Sequence, residues 1–311
     1  MHDGMESDVW VVILNWNGGT MLLDTVGSVL AVEAPVPHVL VVDNASQDGS
    51  EQAVRARFPE VEVICNAANL GFAAGNNVGI RAALAQGAAF VLVLNNDTWV
   101  DPAAVNRLRA ALLADPQRGM AVPKIYYAGE AQPRRLWAAG GAWRAFPPRA
   151  VMRGLGQPDA GQYDRGEVVP YATGCALLVR RELFEQCGLL DEHYFMYQED
   201  YAFCDRVRAQ GLQIWYEPGA VIQHRVSAST GEGSPAKLRY WGYGTVLFYA
   251  QHYRNPAVFV GALAAFLAWA VVRDGLRGRR IPLKALAQGV REGLSALGDI
   301  QKEVRYAGFI R

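Results

Sequence analysis

The chain has 311 residues, enough for one large domain or a domain with an appendage, and 51% of them are hydrophobic, enough for a full core. Its 30 Lys and Arg balance 30 Asp and Glu, so the formal net charge is zero, which excludes a broad electrostatic grip on nucleic acid. Cys65, Cys175, Cys187 and Cys204 form no Cys-x-x-Cys pair, and residues 1–8 are polar with no apolar run; the expectation is a reduced, cytoplasmic setting without a signal peptide.

Strand and helix signals alternate through the first half. Residues 9–14 read as a strand, 21–32 as a helix, and 39–42 as a strand ending at Asp43 and Asn44. A turn at 46–50 leads into a helix carrying Arg55 and Arg57, and 61–64 form a third short strand. A helix is expected from about 73 to 85. The run 90–94 is continuously apolar, as a buried strand is, and stops at Asn95, Asn96 and Asp97. Asp101 and Pro102 supply an N-cap and a first-turn proline for the next helix. This rhythm implies an α/β fold, a mainly parallel sheet with helices on both faces.

The middle is less regular. Residues 129–166 read as loops and short strands, and 168–180 as a strand pair or one bent strand. A helix starts near Glu199 and stops before Gly211; residues 213–216 form a strand, His224 follows shortly after, and 225–235 read as a loop. Asn255 and Pro256 then cap a helix whose body, 257–272, has no charge, shorter than the roughly 20 residues of a spanning helix. Arg273, Arg277, Arg279, Arg280 and Lys284 follow, opposed only by Asp274, and Leu283, Leu286, Val290, Leu294, Leu297 and Val304 recur at helical spacing. The 255–311 segment is read as a membrane-surface or re-entrant element; a buried helical hairpin or a homodimer interface is the alternative.

Asn15, Asp43 with Asn44, and Asn95-Asn96-Asp97 all stand where apolar strands give out. In a parallel sheet they converge on the rim where open α/β folds bind ligands. A carboxylate beside amides there suits a hard divalent cation that also holds a phosphate. A second acidic point, Glu199-Asp200, offers a base. Together they suggest a metal-assisted transfer from a phosphorylated donor.

The runs Val12-Ile13-Leu14-Asn15-Trp16-Asn17 and Val41-Val42-Asp43-Asn44-Ala45-Ser46-Gln47-Asp48-Gly49-Ser50 resemble the donor half of family-2 glycosyltransferases with the GT-A fold. Asn69-Leu70-Gly71-Phe72-Ala73-Ala74-Gly75-Asn76-Asn77, Leu94-Asn95-Asn96-Asp97-Thr98 and the stretch from Thr173-Gly174-Cys175 to Glu199-Asp200 are similar to the rhamnosyltransferase-like branch. The ordered series covers about residues 9–224.

The resemblance implies an inverting, metal-dependent glycosyltransferase using a dTDP-, UDP- or GDP-linked sugar, with rhamnose favoured. Asp43 would bind the nucleobase, accepting an imide N–H. Asn15, Asn17, Asn44, Asn69, Gly71, Asn76 and Asn96 would line the donor site, Gly71 allowing close backbone approach and the helix start near Ala73 facing phosphate. Asp97 would bind Mg2+ or Mn2+, joined by His224 and, more weakly, by Asn95 in place of the usual aspartate. Asp200 would be the base, with Glu199 orienting the site or binding the acceptor; where the family often carries a further aspartate this chain has Ala202. Trp137, Gly174 and Cys175 are assigned to the acceptor side, Trp137 as a sugar platform or as core. The expected division is a GT-A domain over 1–235, nucleotide-binding to about 125 and acceptor-binding from 126, followed by a helical region over 236–311. The acceptor would be a glycan or polyprenyl-linked glycan at the inner face of the cell membrane, in cell-envelope polysaccharide synthesis. A non-catalytic nucleotide-sugar binder and a nucleotidyltransferase are the competing readings.

Overall fold

The computed structural model describes residues 8–129, 134–225, 234–276 and 282–306. The first half alternates as expected: β1 (Val9–Asn15), α1 (Gly19–Leu30), β2 (His38–Asp43), α2 (Ser50–Arg57), β3 (Glu62–Cys65), α3 (Gly71–Ala85) and β4 (Phe90–Asn95). β5 (Thr98–Val100), α4 (Ala104–Leu113), β6 (Arg118–Tyr127), β7 (Leu136–Ala139), β8 (Gly141–Ala145), β9 (Pro148–Met152), β10 (Glu167–Val169) and β11 (Ala176–Arg180) follow. The chain continues through α5 (Arg181–Cys187), α6 (Glu199–Ala209), β12 (Gln213–His224), α7 (Pro235–His252), α8 (Pro256–Leu276) and α9 (Leu283–Tyr306).

The main sheet runs β10-β12-β6-β11-β4-β1-β2-β3, with β5 on β12 and β7 on β6. β1 lies parallel to β2 and to β4, whereas β11 runs antiparallel to β4. Alternate residues of each strand face opposite sides, and both sides are covered. Val11, Ile13, Leu92 and Leu94 pack beneath α1 and α4 with Leu22, Val26 and Leu108. Val12, Val42, Val91 and Val93 pack on the other face with Ile80 of α3, Phe203 of α6 and Phe248 of α7. Each such burial is worth about 1.5–3 kcal/mol, which is why the strands read as unbroken apolar runs.

Four sequence expectations change. Pro102 precedes α4 instead of entering it; the Asp101 carboxylate accepts from Ala103 N at 3.2 Å, so the turn forms one step early. β10 and β11 pair with different strands, not with each other. β12 continues past Pro218-Gly219, with a register shift between Glu217 and Val221, and ends on His224 itself. α8 is 21 residues long, because Arg273 does not stop it: the guanidinium stacks over Trp241 at 5.3 Å and Trp269 at 4.7 Å. By length and composition α8 is long and apolar enough to cross a membrane. α7 was not foreseen as a separate helix. It buries Val246, Leu247 and Phe248 in the core that Phe203 of α6 shares.

Candidate active site

Parallel register sets Asn15 opposite Asp43 and Leu14 opposite Asn95, so three strand ends open on one edge. Asn15 is fully buried there. Its Nδ2 lies 2.8 Å from Asp43 Oδ1 and 2.9 Å from Ser50 Oγ, and its Oδ1 accepts from Asn96 Nδ2 at 2.8 Å. Asp43 Oδ2 accepts from Ser46 N at 2.9 Å. Asn17, in the left-handed region at φ 52°, accepts from Gln47 N at 2.8 Å and keeps its outer surface exposed. Asn44 is buried; it donates to Gly71 O at 2.9 Å and accepts from Asn66 Nδ2 at 2.8 Å. Asn69 Oδ1 accepts from Gly71 N at 2.9 Å, and the buried Asn76 donates to Phe72 O at 2.9 Å. Asn44, Asn69 and Asn76 thus shape the loop and helix under the rim, while Asn17 and the loop around Gln47 face outward.

At the end of β4, Asp97 Oδ1 lies 3.0 Å from His224 Nε2, and Asn95 Nδ2 lies 3.4 Å from the same nitrogen. These residues come from the turn after β4 and from the last position of β12, joined because β5 pairs with β12. Burial opposes charge on His224. Cys175 and the Asp97 carboxylate outweigh it and raise the imidazolium to about 10. Among the described residues, Asp97 Oδ1 is buried and faces only His224 Nε2, while His224 Nδ1 is buried without a hydrogen-bonding partner. With its proton released, the His224 imidazole beside a carboxylate and an amide fits a divalent cation that takes its remaining ligands from diphosphate and water. Among the described residues no third His, Cys, Asp or Glu completes a metal cluster. Trp137 and Cys175, expected on the acceptor side, belong here instead. Trp137 is buried with its ring 4.4 Å edge-on from His224, and Cys175 is buried against the same histidine. Both belong to the core on the α1–α4 face, Trp137 from β7 where its pairing with β6 shifts register and Cys175 from the turn before β11.

The antiparallel β11 brings its preceding loop to the same edge. Asn95 N donates to Cys175 O at 3.0 Å, and Gly174 N donates to Asp200 Oδ2 at 2.8 Å. Asp200 Oδ1 accepts from Tyr201 N at 2.8 Å. Enclosure raises the Asp200 carboxyl to about 6 even though these backbone donors favour its ionised form. Glu199 is 4% exposed, and burial together with the Asp200 charge pushes its carboxyl well up. Both carboxyls are thus raised by enclosure, Glu199 the more deeply buried of the two.

Gly71 does not open a path to phosphate. At φ +83° it approaches the carbonyl of Phe195, where a Cβ would stand 2.4 Å away, and Phe72 N donates to that carbonyl at 2.6 Å. The start of α3 thus holds the segment leading into Asp200.

Glycosyl transferase family 2 is the family whose profile matches residues 10–188. The chain belongs to glycosyl transferase family 2. It is 31% identical over 307 residues to the N-acetylglucosaminyl-diphospho-decaprenol L-rhamnosyltransferase of Mycobacterium tuberculosis, across 90% of this chain and 97% of the relative. Its fold matches a GalNAc-T7 structure with UDP, GalNAc and Mn2+ (TM-score 0.61, 18% identity, 78% of this chain and 49% of the other). It also matches the mannosyltransferase PcManGT of Pyrobaculum calidifontis with GDP-Man and Mn2+ (TM-score 0.57, 19% identity, 96% of this chain and 77% of the other). The molecule is a glycosyltransferase with a GT-A fold.

In this glycosyltransferase a cleft of about 490 Å³ opens beside Asp97, lined by Met21, Asp24, Trp99, Gln223 and Arg225 among others. Neither Asp43 nor Asp200 lines it. What joins the three carboxylates is the rim itself, through Asn15 and Asn96 on one side and Cys175 and Gly174 on the other. Sequence reasoning missed Arg225, whose guanidinium pairs with Asp24 at 3.0 Å. It missed Asn77 too, which donates to Leu190 O at 2.8 Å and to Glu192 Oε1 at 2.9 Å, tying α3 to the loop before Asp200.

It also missed Gly244. Tyr197 and Gln198 sit in the left-handed region at φ 71° and 76° immediately before Glu199, conformations that cost free energy and persist only where neighbours enforce them. α7 enforces them: a Cβ on Gly244 would stand 2.3 Å from Tyr197 O. Gly244→Ala is expected to shift this segment and lower kcat about a hundredfold, the scale of a 1 Å displacement of a reacting group, with donor affinity unchanged. Steady-state kinetics together with donor titration check it; an unchanged kcat would remove α7 from the positioning of the segment before Asp200.

Proposed function

We propose that the enzyme moves L-rhamnose, with inversion, from a nucleotide diphosphate (dTDP favoured over UDP or GDP) to a glycan carried on a polyprenyl diphosphate at the inner face of the cell membrane. The observation that carries this reading is the Asp200 carboxylate held to Gly174 on the same rim as Asp97 and His224. Likeness to a decaprenol-linked rhamnosyltransferase over nearly the whole of both chains supports the donor and acceptor classes.

In this reading the acceptor hydroxyl oxygen bonds to the anomeric carbon as the bond from that carbon to the diphosphate oxygen breaks. The electron pair leaves on the nucleoside diphosphate, and the hydroxyl proton passes to Asp200, whose raised affinity suits the task. Asp97 and His224, with Asn95 beside them, would hold Mg2+ or Mn2+, whose contribution is charge neutralisation on the diphosphate. Asp43 would receive the base and Asn17 the outer edge of the nucleotide.

Incubation of the full chain with dTDP-rhamnose and a short-chain polyprenyl-diphospho-N-acetylglucosamine tests the proposal. The expected products are a rhamnoside of opposite anomeric configuration by NMR and free nucleoside diphosphate. Pyrophosphate release, retained configuration, or turnover of other nucleotide sugars but not the rhamnosyl donor would overturn it.

A further inference from the structure

The β8–β9 hairpin carries a surface that the transfer chemistry does not use. Ala145 pairs with Pro148 across its tip, and the tip presents Phe146 with 83% of its surface exposed. Arg144, two residues earlier, is exposed as well. On the returning strand, the Arg149 guanidinium stacks 4.0 Å over Trp269 of α8 and donates to Pro147 O at 3.0 Å. Arg273, one turn further along α8, stacks over the same Trp269. Burial, and then the neighbouring positive charges of Arg144 and Arg273, hold the Arg149 guanidinium below its ordinary range, so the three cations act on one another. Among the described residues neither Arg144 nor Arg149 forms an ion pair with a carboxylate.

α8 completes the surface. It turns Ala262, Leu263, Phe266 and Ala270 inward and leaves Val258, Val260, Val271 and Val272 exposed. Apolar side chains beside the Arg144 and Arg149 guanidinium groups and a tryptophan match an anionic membrane interface, where acyl chains take the first and headgroup phosphates the second. A second copy of this chain fits worse, because a two-fold contact through this face would set each cluster of cations against its own copy.

We propose that the β8–β9 hairpin and α8 together seat the enzyme on an anionic bilayer, with Phe146 and the exposed α8 valines entering the acyl boundary and Arg144 and Arg149 meeting the headgroup phosphates. This deepens the functional reading above and rests on its membrane-side acceptor. It extends the contact beyond the C-terminal helices into the catalytic domain. The placement suits a lipid-linked substrate. Tyr249 of α7 donates to Pro148 O, and Trp143 of the hairpin stacks 5.8 Å from Tyr171, three residues before the Gly174 that binds Asp200.

Co-sedimentation of the full chain with vesicles of phosphatidylcholine containing phosphatidylglycerol, against phosphatidylcholine alone, tests it. Wild type should bind the anionic vesicles preferentially. Arg144→Ala should weaken binding about fivefold, the worth of one basic residue at such a surface. Phe146→Ser should weaken it about tenfold, the scale of one lost apolar burial. Both variants should keep wild-type turnover of a water-soluble acceptor, since neither residue touches the rim. If Val260→Asp loses binding while both hairpin variants bind like wild type, the hairpin proposal fails and the C-terminal membrane reading stands. If wild type binds neither vesicle, both fail. Equal binding to the neutral vesicles would overturn the headgroup role. A vesicle-free dimer that Phe146→Ser dissociates would give this face to a second copy instead.

Discussion

Asp200→Asn should bind donor as wild type does and transfer sugar about 10²–10⁴-fold more slowly, the usual loss when a positioned general base is removed. The amide keeps the size of the side chain and can still accept from Gly174 N or Tyr201 N, so the loop is held while the proton acceptor is gone. Wild-type activity should rise as pH climbs through about 6, because the carboxyl must be ionised to work and enclosure raises it to that value. The variant should lack that limb. Stability carries the opposite sign. A carboxyl raised from 3.8 to about 6 in the folded state favours folding most below about pH 4, and that contribution is lost as pH rises through about 6. Between those values the wild-type melting temperature should fall relative to that of Asp200→Asn. Glu199→Gln is the control: enclosure and the Asp200 charge push its carboxyl well up, and an amide of the same size in its buried site is expected to keep most of the turnover. Rapid-quench kinetics with donor titration distinguish binding from chemistry. Near-normal turnover by Asp200→Asn would end the base assignment.

The donor-side scaffold was legible because its signals are local. An apolar run ending in Asn or Asp says where a strand stops, and alternation with helices makes the strands parallel; together these bring Asn15, Asp43 and Asn95 to one edge. Asp97 was legible as a carboxylate at such a boundary, whereas Asp200, in the first turn of α6, was singled out through the resemblance of its Glu-Asp run. Trp137 took the core alternative and Cys175 left the acceptor side, because a motif does not tell which distant side chain a residue will meet, and both lie against His224. Gly71 was read as an approach to a nucleotide, yet its open side meets Phe195 from a segment more than a hundred residues away. Gly244, Asn77 and Arg225 share that difficulty. Each acts through a partner distant in sequence, with no periodicity to announce it. α8 runs past its uncharged body, 257–272, for a related reason, since two indole rings earlier in the sequence than Arg273 receive its charge.

Asp97→Ala should lower turnover by about 10²–10⁴-fold, the consequence of losing several kcal/mol of charge neutralisation on the leaving diphosphate. Asn95 cannot substitute. Its amide lies at 3.4 Å from His224 Nε2 with nitrogen foremost, and even turned over it offers a neutral oxygen to a hard cation. A second readout does not depend on catalysis. Mn2+ with nucleoside diphosphate should raise the melting temperature of the wild type, since a ligand selective for the folded state stabilises it, and this rise should vanish in the variant. Without metal the variant should also be about 1.5–3 kcal/mol less stable, the scale of a lost hydrogen bond to a charged group, because buried His224 loses the carboxylate that supports its proton. That loss lies at neutral and lower pH, where the imidazolium forms, and fades as pH rises through about 10. A variant that is destabilised yet still responds fully to Mn2+ and nucleotide would leave Asp97 as a partner for His224 alone and move the cation elsewhere on the rim.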